Sequence, residues 1–130
     1  MHAAAKALIL VVDDHADIRA MLQLVLEQAG YEVLTAESGV QALALQRRRA
    51  AQVVITDLFM PEQDGAETID LLRREFPATR IVAMSGGGRV VGRGGVDYLT
   101  AARNIGAHAT LRKPFDAEEL LQVVQDLLSG

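Results

Sequence analysis

Short apolar stretches alternate along the chain with longer stretches in which apolar residues recur every three or four positions. The short stretches predict five β-strands, at residues 7–12, 32–35, 53–56, 81–84 and 109–111. The longer stretches predict amphipathic helices between and after the strands, because this spacing places apolar side chains on one face of a helix. The pattern therefore indicates a protein that alternates strands with helices.

The first and last helices have the most regular pattern. Apolar residues at positions 18, 21, 22, 25, 26 and 29 precede Gly30, which is a typical helix stop. Apolar residues at positions 120, 123, 124, 127 and 128 follow Asp116 and Glu119, which are spaced as a capping pair. Further helices are predicted at residues 40–48, 66–75 and 96–105.

Regular alternation of strands and helices predicts an α/β fold, with a parallel sheet covered by helices on both faces. The first and third strands are nearly continuous apolar runs, which is typical of central strands buried on both sides. The chain contains no internal repeat, linker or low-complexity tail. We therefore predict that residues 1–130 form a single domain, with its core at about residues 7–128 and no output domain.

Composition and charge narrow the class of protein. Half of the residues are hydrophobic, which disfavours disorder, and 13 Lys and Arg against 17 Asp and Glu argue against a nucleic-acid surface. The absence of cysteine excludes disulfides and thiolate chemistry. No apolar run reaches the roughly 18 residues of a membrane span, and the apolar start runs into two acids, as a first strand does. We predict a cytoplasmic protein without membrane insertion.

Polar residues collect where the predicted strands end. Asp13 and Asp14 follow the first strand, Asp57 ends the third, Ser85 follows the fourth and Lys113 follows the fifth. The carboxyl ends of parallel strands share one edge of the sheet, where ligands bind in open α/β folds. Each residue alone has a plainer explanation as a helix cap, a turn residue or a solvated side chain. Those explanations would all have to hold at once, whereas a single site explains all five residues. We therefore predict a single site at this edge.

The residue types at this edge favour phosphoryl transfer. Carboxylates that share a site repel one another unless a cation intervenes, and oxygen ligands without histidine or cysteine suit Mg²⁺. A carboxylate is also a nucleophile toward phosphorus, and the transfer needs a metal, a fixed cation and hydrogen bonds to the phosphoryl oxygens. Mg²⁺, Lys113 and Ser85 would meet those needs. Asp57, at the tip of its strand, is the predicted acceptor.

With these residues in place, the sequence resembles the receiver domain of bacterial two-component response regulators. The matching pieces are LILVVDD, VVITDLFMPEQDG, VAMSGG and LRKPF, in order and at family-like spacing over nearly the whole chain. The resemblance implies a flavodoxin-like, doubly wound sheet of five parallel strands in the order 2-1-3-4-5. It also implies a phospho-accepting aspartate and a bound Mg²⁺.

The resemblance assigns roles to the acids by position. Asp57 is similar to the phospho-acceptor of the family. Asp14 and Asp57 would bind Mg²⁺ directly, and Asp13 would act mainly through water. The backbone carbonyl of Phe59 would be a further metal ligand.

The resemblance also covers the residues that follow the fourth and fifth strands. Ser85 is similar to the hydroxyl residue that hydrogen-bonds the phosphoryl group, and Lys113 to the cation that pairs with it. The bond from Lys113 to Pro114 is typically cis in the family. The family commonly has Tyr or Phe three residues before the lysine, and its rotation reports phosphorylation. This chain has Thr110 there, so we expect either weaker reporting or reporting by another group.

The function implied by the resemblance is a signalling switch. A sensor histidine kinase or a histidine phosphotransfer protein would phosphorylate Asp57, and the face of the fourth helix, fifth strand and fifth helix would change its affinity for an output partner. The signal would pass by protein contact or by onward phosphotransfer. Such a protein is not an enzyme beyond its own phosphorylation and dephosphorylation. Leu121 widens the apolar face of the last helix, which suits either a partner or homodimer contact or the core.

Three other functions fit the sequence less well. A Mg²⁺-dependent aspartyl-phosphate phosphohydrolase would need a second acid two residues after its nucleophile, where this chain has Phe59. A nucleotide-binding module would need a phosphate-binding glycine motif, which the glycine-rich run lacks. A phosphate-independent pseudo-receiver would typically have lost the acids.

Two remaining features carry expectations of their own. His2, His15 and His108 share no metal-ligand spacing and are predicted not to be ligands. His15 is interpreted as an exposed residue of the first helical turn, with a kinase contact or an effect on phosphoryl lifetime as the alternative. The glycine-rich segment 86–95 is interpreted either as a flexible insertion or as a segment that orders on phosphorylation or contacts a partner.

Overall fold

The computed structural model describes residues 6–58, 65–86 and 98–130, with side chains described from residue 100 onward in the last range. Strands β1 (Leu8–Val12), β2 (Glu32–Ala36), β3 (Val53–Asp57), β4 (Arg80–Ser85) and β5 (Ala109–Arg112) alternate with five helices. The helices are α1 (Ala16–Gln28), α2 (Gly39–Arg48), α3 (Gly65–Glu75), α4 (Tyr98–Ile105) and α5 (Ala117–Ser129). Every predicted strand is present, with each end within one residue of its prediction. The predicted start of the fourth helix, at residue 96, lies outside the described residues.

The strands form one parallel sheet in the order β2-β1-β3-β4-β5, as predicted. β1 pairs with β2 on one side and with β3 on the other, so the winding reverses between β1 and β3. Both of these central strands are buried along their whole length, whereas β2 and β5 at the margins are only partly buried. Burial on both sides explains why the central strands are continuous apolar runs rather than alternating patterns.

The sheet separates two hydrophobic cores. Leu8, Leu10 and Val12 of β1 face one core, and Ile9 and Val11 face the other, because successive strand residues point to opposite faces. From the helices, the first core receives Ala42, Leu43, Ile69, Leu72 and Ala102. The second receives Leu22, Leu26, Leu120 and Val124, with Leu121 packed against it. Full burial of one such leucine or isoleucine contributes about 1.5–3 kcal/mol to folding, so the two cores hold helices on both faces.

The helix ends agree in part with the sequence pattern. The carboxylate of Asp116 accepts a hydrogen bond from the N–H of Glu119 at 2.8 Å, which confirms Asp116 as the cap of α5. Helix α1 ends two residues before Gly30, as predicted. His15 occupies the N-cap position of α1 and makes no side-chain cap hydrogen bond. Neither Asp13 nor Asp14 is therefore the N-cap residue of this helix. Within the ranges described, no helix is both long and apolar enough to cross a membrane.

Candidate functional site

The candidate site lies at the carboxyl edge of the sheet, where the strands end. Asp13 follows β1, Asp57 ends β3, Ser85 ends β4 and Lys113 follows β5. Lys113 Nζ lies 3.0 Å from Asp13 Oδ2 and 3.4 Å from Asp57 Oδ2, so three different strands contribute to one ionic cluster. The structure therefore brings these predicted residues together.

Asp14 and His15 join Asp13 and Asp57 in a cluster that could hold a cation. One ligand atom from each of Asp13, Asp14, His15 and Asp57 lies within 4.8 Å of the others. The two neighbouring acids differ in exposure: Asp13 is fully buried, whereas the side chain of Asp14 is 29% exposed. Asp57 is only 4% exposed. The cluster is therefore closed at Asp13 and open to solvent at Asp14.

Asp13 is held as a carboxylate by the groups around it. Its Oδ1 accepts a hydrogen bond from the backbone N–H of His15 at 2.9 Å, and its Oδ2 pairs with Lys113. Burial opposes ionisation, but these hydrogen bonds and the Lys113 charge outweigh it and lower the pKa of Asp13. For Lys113, burial likewise opposes the charge, while Asp13 and Asp57 prevail and raise its pKa. The site therefore contains an ionised Asp13 and a protonated Lys113.

His15 belongs to the site, although the sequence pattern predicted only that it would be an exposed residue of the first helical turn. Its Nδ1 lies 2.9 Å from Asp13 Oδ1 and 3.2 Å from Asp14 Oδ1, while the side chain is 59% exposed. The hydrogen bond to Asp13, followed by the charges of Asp14 and Asp13, raises the pKa of His15. The expected exposure is correct, and the contact with Asp13 was missed although the spacing of two residues suits it. Its predicted role as a non-ligand stays a prediction.

Ser85 is fully buried, and its Oγ has no hydrogen-bond partner among the described residues. An unpaired buried hydroxyl costs about 1–3 kcal/mol, so such groups are uncommon outside functional sites. Its backbone is tied to the site by the Lys113 N–H, which donates to the Ser85 carbonyl at 2.7 Å. Thr110 pairs with Ala83, two residues before Ser85, and is partly buried. The Lys113–Pro114 bond is cis, as the resemblance implied.

Gly65 fixes the start of α3 against the end of β3. Its N–H donates to the carbonyl of Leu58 at 2.9 Å, and a Cβ at this position would lie 2.3 Å from the carbonyl oxygen of Asp57. Only glycine allows this approach, because real Cβ atoms do not come so close to backbone. Phe59, the expected carbonyl ligand, lies outside the described residues, as do positions 87–95 of the glycine-rich segment.

The arrangement has two chemical capacities. Its carboxylate oxygens are the ligands that a hard divalent cation prefers, with Asp14 giving access from solvent. A carboxylate nucleophile, Asp57, lies beside a fixed ammonium group that could stabilise negative charge on a transferred group.

Comparisons with known proteins identify the family of the chain. The family model of the response regulator receiver domain matches residues 9–125. The chain is 32% identical over 122 residues to nitrogen assimilation regulatory protein NtrX of Azorhizobium caulinodans, covering 92% of this chain but only 26% of that relative. It is 29% identical to sporulation initiation phosphotransferase F of Bacillus subtilis, covering 92% of both chains. The structure of chemotaxis protein CheY4 of Vibrio cholerae superposes with a TM-score of 0.82 at 32% identity, over 95% of this chain and 99% of that one. The chain belongs to the response regulator receiver domain family of two-component signalling.

Proposed function

We propose that the chain is a phospho-accepting switch, acting in the cytoplasm, that receives a phosphoryl group on Asp57 from a histidine kinase or a histidine phosphotransfer protein. The observation that carries the proposal is the position of Asp57. This acid lies at the tip of β3, 4% exposed, with the ammonium group of Lys113 at 3.4 Å and two further acids beside it. A structural acid needs one partner, whereas a phosphoryl acceptor needs this combination of a nucleophile, a fixed cation and metal-binding oxygens.

In the proposed step, a carboxylate oxygen of Asp57 attacks the phosphorus of a phosphohistidine. The new O–P bond forms as the P–N bond breaks, and the imidazole leaves with the electron pair of that bond and takes up a proton. Lys113 then pairs with the phosphoryl oxygens, since its Nζ already lies within reach of Asp57. Ser85 donates its hydroxyl to a phosphoryl oxygen, which would give the buried Oγ the partner that the described residues do not provide.

The acids of the cluster fit a Mg²⁺ ion, with Asp14 and Asp57 as direct ligands and the Phe59 carbonyl as a further one. Mg²⁺, when bound, would neutralise charge on the transferring group. The contacts of Asp13 support its action through water, because His15 and Lys113 already engage both of its carboxylate oxygens. His15 donates its Nδ1–H to that carboxylate, so in this arrangement the same nitrogen cannot be a metal ligand.

The phosphorylated chain would signal by one of two routes, partner contact or onward transfer. The match to sporulation initiation phosphotransferase F, over 92% of both chains, supports onward phosphotransfer. The match to the chemotaxis protein CheY4, over 99% of that chain, is compatible with the contact route. We therefore expect either a phosphate that leaves Asp57 for a phosphotransfer protein or a change in partner affinity at the face formed by α4, β5 and α5.

That face has no large aromatic ring at the usual switch position. Thr110 lines an open groove of about 480 Å³ between β5 and α5. The other groove-lining residues are Leu111, Glu118, Glu119, Gln122 and Val123. Because a threonine cannot swing a ring between buried and exposed positions, we propose that phosphorylation is reported through backbone shifts of β5 and through the acidic residues of the groove.

The experiment is phosphorylation by acetyl phosphate and phosphoramidate, with and without Mg²⁺, followed by the mass of the intact protein. We expect a Mg²⁺-dependent gain of one phosphoryl group in the wild-type chain. Asp57→Asn keeps the size of the side chain and should abolish the gain. Asp17→Asn is the matched control, because Asp17 is an exposed acid in the first turn of α1 and should leave the gain unchanged.

Two results would contradict the proposal. A mass gain that persists in Asp57→Asn would mean that another residue is the nucleophile. A wild-type chain that stays unmodified by both donors and by a cognate kinase, yet binds its partner, would identify it as a pseudo-receiver.

A further inference from the structure

A second cluster of polar side chains lies at the amino edge of the sheet, opposite the acidic site. His108 directly precedes β5, Arg80 is the first residue of β4, and Arg73 lies in the last turn of α3. All three side chains are partly buried. The proposed phosphoryl transfer at Asp57 uses none of them.

The hydrogen bonds of His108 determine which of its nitrogens carries a proton. The backbone N–H of Ile81 donates to His108 Nδ1 at 3.0 Å, and the His108 N–H donates to the Ile81 carbonyl at 2.8 Å. Ile81 is fully buried, so its N–H needs this acceptor. Nδ1 is therefore unprotonated, and the neutral ring carries its proton on Nε2.

This tautomer leaves two donors facing each other. Arg73 Nη1 lies 3.3 Å from His108 Nε2, and a guanidinium group has no acceptor to offer. The contact is therefore not a hydrogen bond between the two side chains. A single acceptor within reach of both nitrogens would satisfy the two donors together.

The position of Arg73 is fixed by the end of α4. Gly106 adopts a φ of +139°, and a Cβ there would lie 2.7 Å from Arg73 Cγ. The arginine side chain therefore passes directly over this glycine toward His108. Any other residue at position 106 would be strained and would displace the guanidinium group.

The positive charge of the corner formed by Arg73, Arg80 and His108 is not balanced by any described acid. The neighbouring arginines form ion pairs, Arg47 with Glu75 and Arg74 with Asp70, whereas Arg73 and Arg80 have none among the described residues. Burial, and then the charges of Arg73 and Arg80, lower the pKa of His108, so both guanidinium groups act on the same ring. Positive charge and hydrogen-bond donors therefore collect here, and no acid in the described part of the chain pairs with Arg73 or Arg80.

We propose that Arg73 and His108 form a binding site for a phosphate-type oxyanion, with Arg80 adding positive charge nearby. A phosphate-type oxyanion offers acceptor oxygens to both donors, Arg73 of α3 and His108 just before β5, and it carries more negative charge than a carboxylate to set against the arginines. It would also balance the two guanidinium charges, which a water molecule cannot do. The site is separate from the Asp57 cluster and does not depend on its phosphorylation.

The test is a titration of the 130-residue chain with inorganic phosphate in EDTA, at constant ionic strength set with sodium chloride. Nitrogen-15 NMR would follow the His108 ring and the Ile81 amide, with the amide of Gln125, on the exposed side of α5, as an internal reference. We expect His108 to show the Nε2–H tautomer and a saturable change with a dissociation constant of about 1 mM or lower. Sulfate should compete with phosphate for the site. A second titration with adenosine monophosphate would show whether the site prefers the phosphate group of a nucleotide to free phosphate.

Variants make the test specific. Arg73→Gln should weaken phosphate binding at least about tenfold, and Arg80→Gln should weaken it in the same direction. Arg48→Gln is the matched control, because Arg48 is an exposed arginine at the end of α2. The backbone amide spectrum would verify that each variant is folded. If Arg73→Gln does not fold, the test relies on Arg80→Gln instead.

Three outcomes would overturn the proposal. Linear, unsaturable shifts would mean general screening rather than a site. An equal loss in Arg48→Gln would mean that only net charge matters. Acetate binding as tightly as phosphate would mean that the corner does not select a tetrahedral oxyanion.

Discussion

Lys113 Nζ lies 3.4 Å from Asp57 Oδ2, although 56 residues separate the two in the sequence. The same ammonium group pairs with the buried Asp13 at 3.0 Å. Lys113 is thus the cation that allows like-charged acids to share one edge of the sheet. A metal ion bound by these acids would compete with it for the same oxygens.

Replacing Lys113 should therefore destabilise the metal-free protein. Lys113→Met leaves the buried carboxylate of Asp13 without its cation, and we expect a loss of about 3 kcal/mol in the free energy of unfolding. Urea denaturation in EDTA at pH 7.5 would measure it. Adding Mg²⁺ should restore more stability to the variant than to the wild type, because the metal no longer competes with the ammonium group.

Lys6 is the only other lysine and is exposed, so Lys6→Met is the control for the loss of a positive charge. Equal stability of the two variants, or an equal response to Mg²⁺, would show that Lys113 does not hold the acids together.

Gly65 should be irreplaceable for a steric reason. In Gly65→Ala the new Cβ would meet backbone atoms of Asp57 and Leu58 at 2.3 and 2.4 Å. Relief requires α3 to move away from the end of β3, and we expect a loss of about 2–3 kcal/mol together with slower phosphorylation of Asp57. Gly86→Ala is the control for stability, because a Cβ at Gly86 meets nothing within 4 Å. A Gly65→Ala protein as stable as Gly86→Ala would refute the steric argument.

Much of this fold could be predicted from the sequence because the clearest patterns, the continuous apolar runs, mark the most deeply buried strands. The central strands are buried on both sides, so continuous apolar runs mark them, and the site residues follow directly at their carboxyl ends. Placing Asp57 and Lys113 together required only the parallel topology. The sequence analysis expected Lys113 to pair with a phosphoryl group, and its pairing with Asp13 and Asp57 was seen only in the structure.

The contacts at the amino edge could not be predicted in the same way. The donor conflict between Arg73 and His108 depends on the path of one side chain over Gly106, and no periodicity encodes it. Gln46 is a similar case. It lies within the amphipathic pattern of α2, where a glutamine predicts a solvated position, but it is only 1% exposed. Buried polar networks depend on the tertiary partners that satisfy them.

The network around Gln46 should contribute measurably to stability. Gln46 Nε2 donates to the Ala51 carbonyl at 3.1 Å and to Thr79 Oγ1 at 3.0 Å, and its Oε1 accepts from the Ala51 N–H at 2.9 Å. Gln46→Leu keeps the volume but leaves the buried Ala51 N–H unpaired. We expect a loss of about 2–3 kcal/mol by urea denaturation. Gln125→Leu, on the exposed side of α5, should change stability by less than about 0.5 kcal/mol. A similar small effect at both positions would contradict the prediction.

His108 should make the stability of the protein depend on pH. Burial and the neighbouring arginines lower its pKa from 6.5 in the folded state, so the unfolded chain binds more protons below that pH. The contribution of His108 is therefore fully present above about pH 6.5 and is lost as the pH falls toward the folded-state pKa. The raised pKa of His15 gives the opposite sign, with a contribution that is present below pH 6.5 and is lost as the pH rises.

His108→Asn separates these two effects. The asparagine carbonyl can accept the Ile81 N–H in place of Nδ1, but the side chain does not titrate. Urea denaturation at pH 7.5 and pH 5.5, in buffers free of phosphate, should show that the wild type loses more stability on acidification than His108→Asn does. Phosphate is excluded because a bound oxyanion would favour the protonated ring and raise the pKa of His108. If wild type and variant lose stability equally, the ring is not held neutral by its surroundings, and the donor conflict at Arg73 loses its basis.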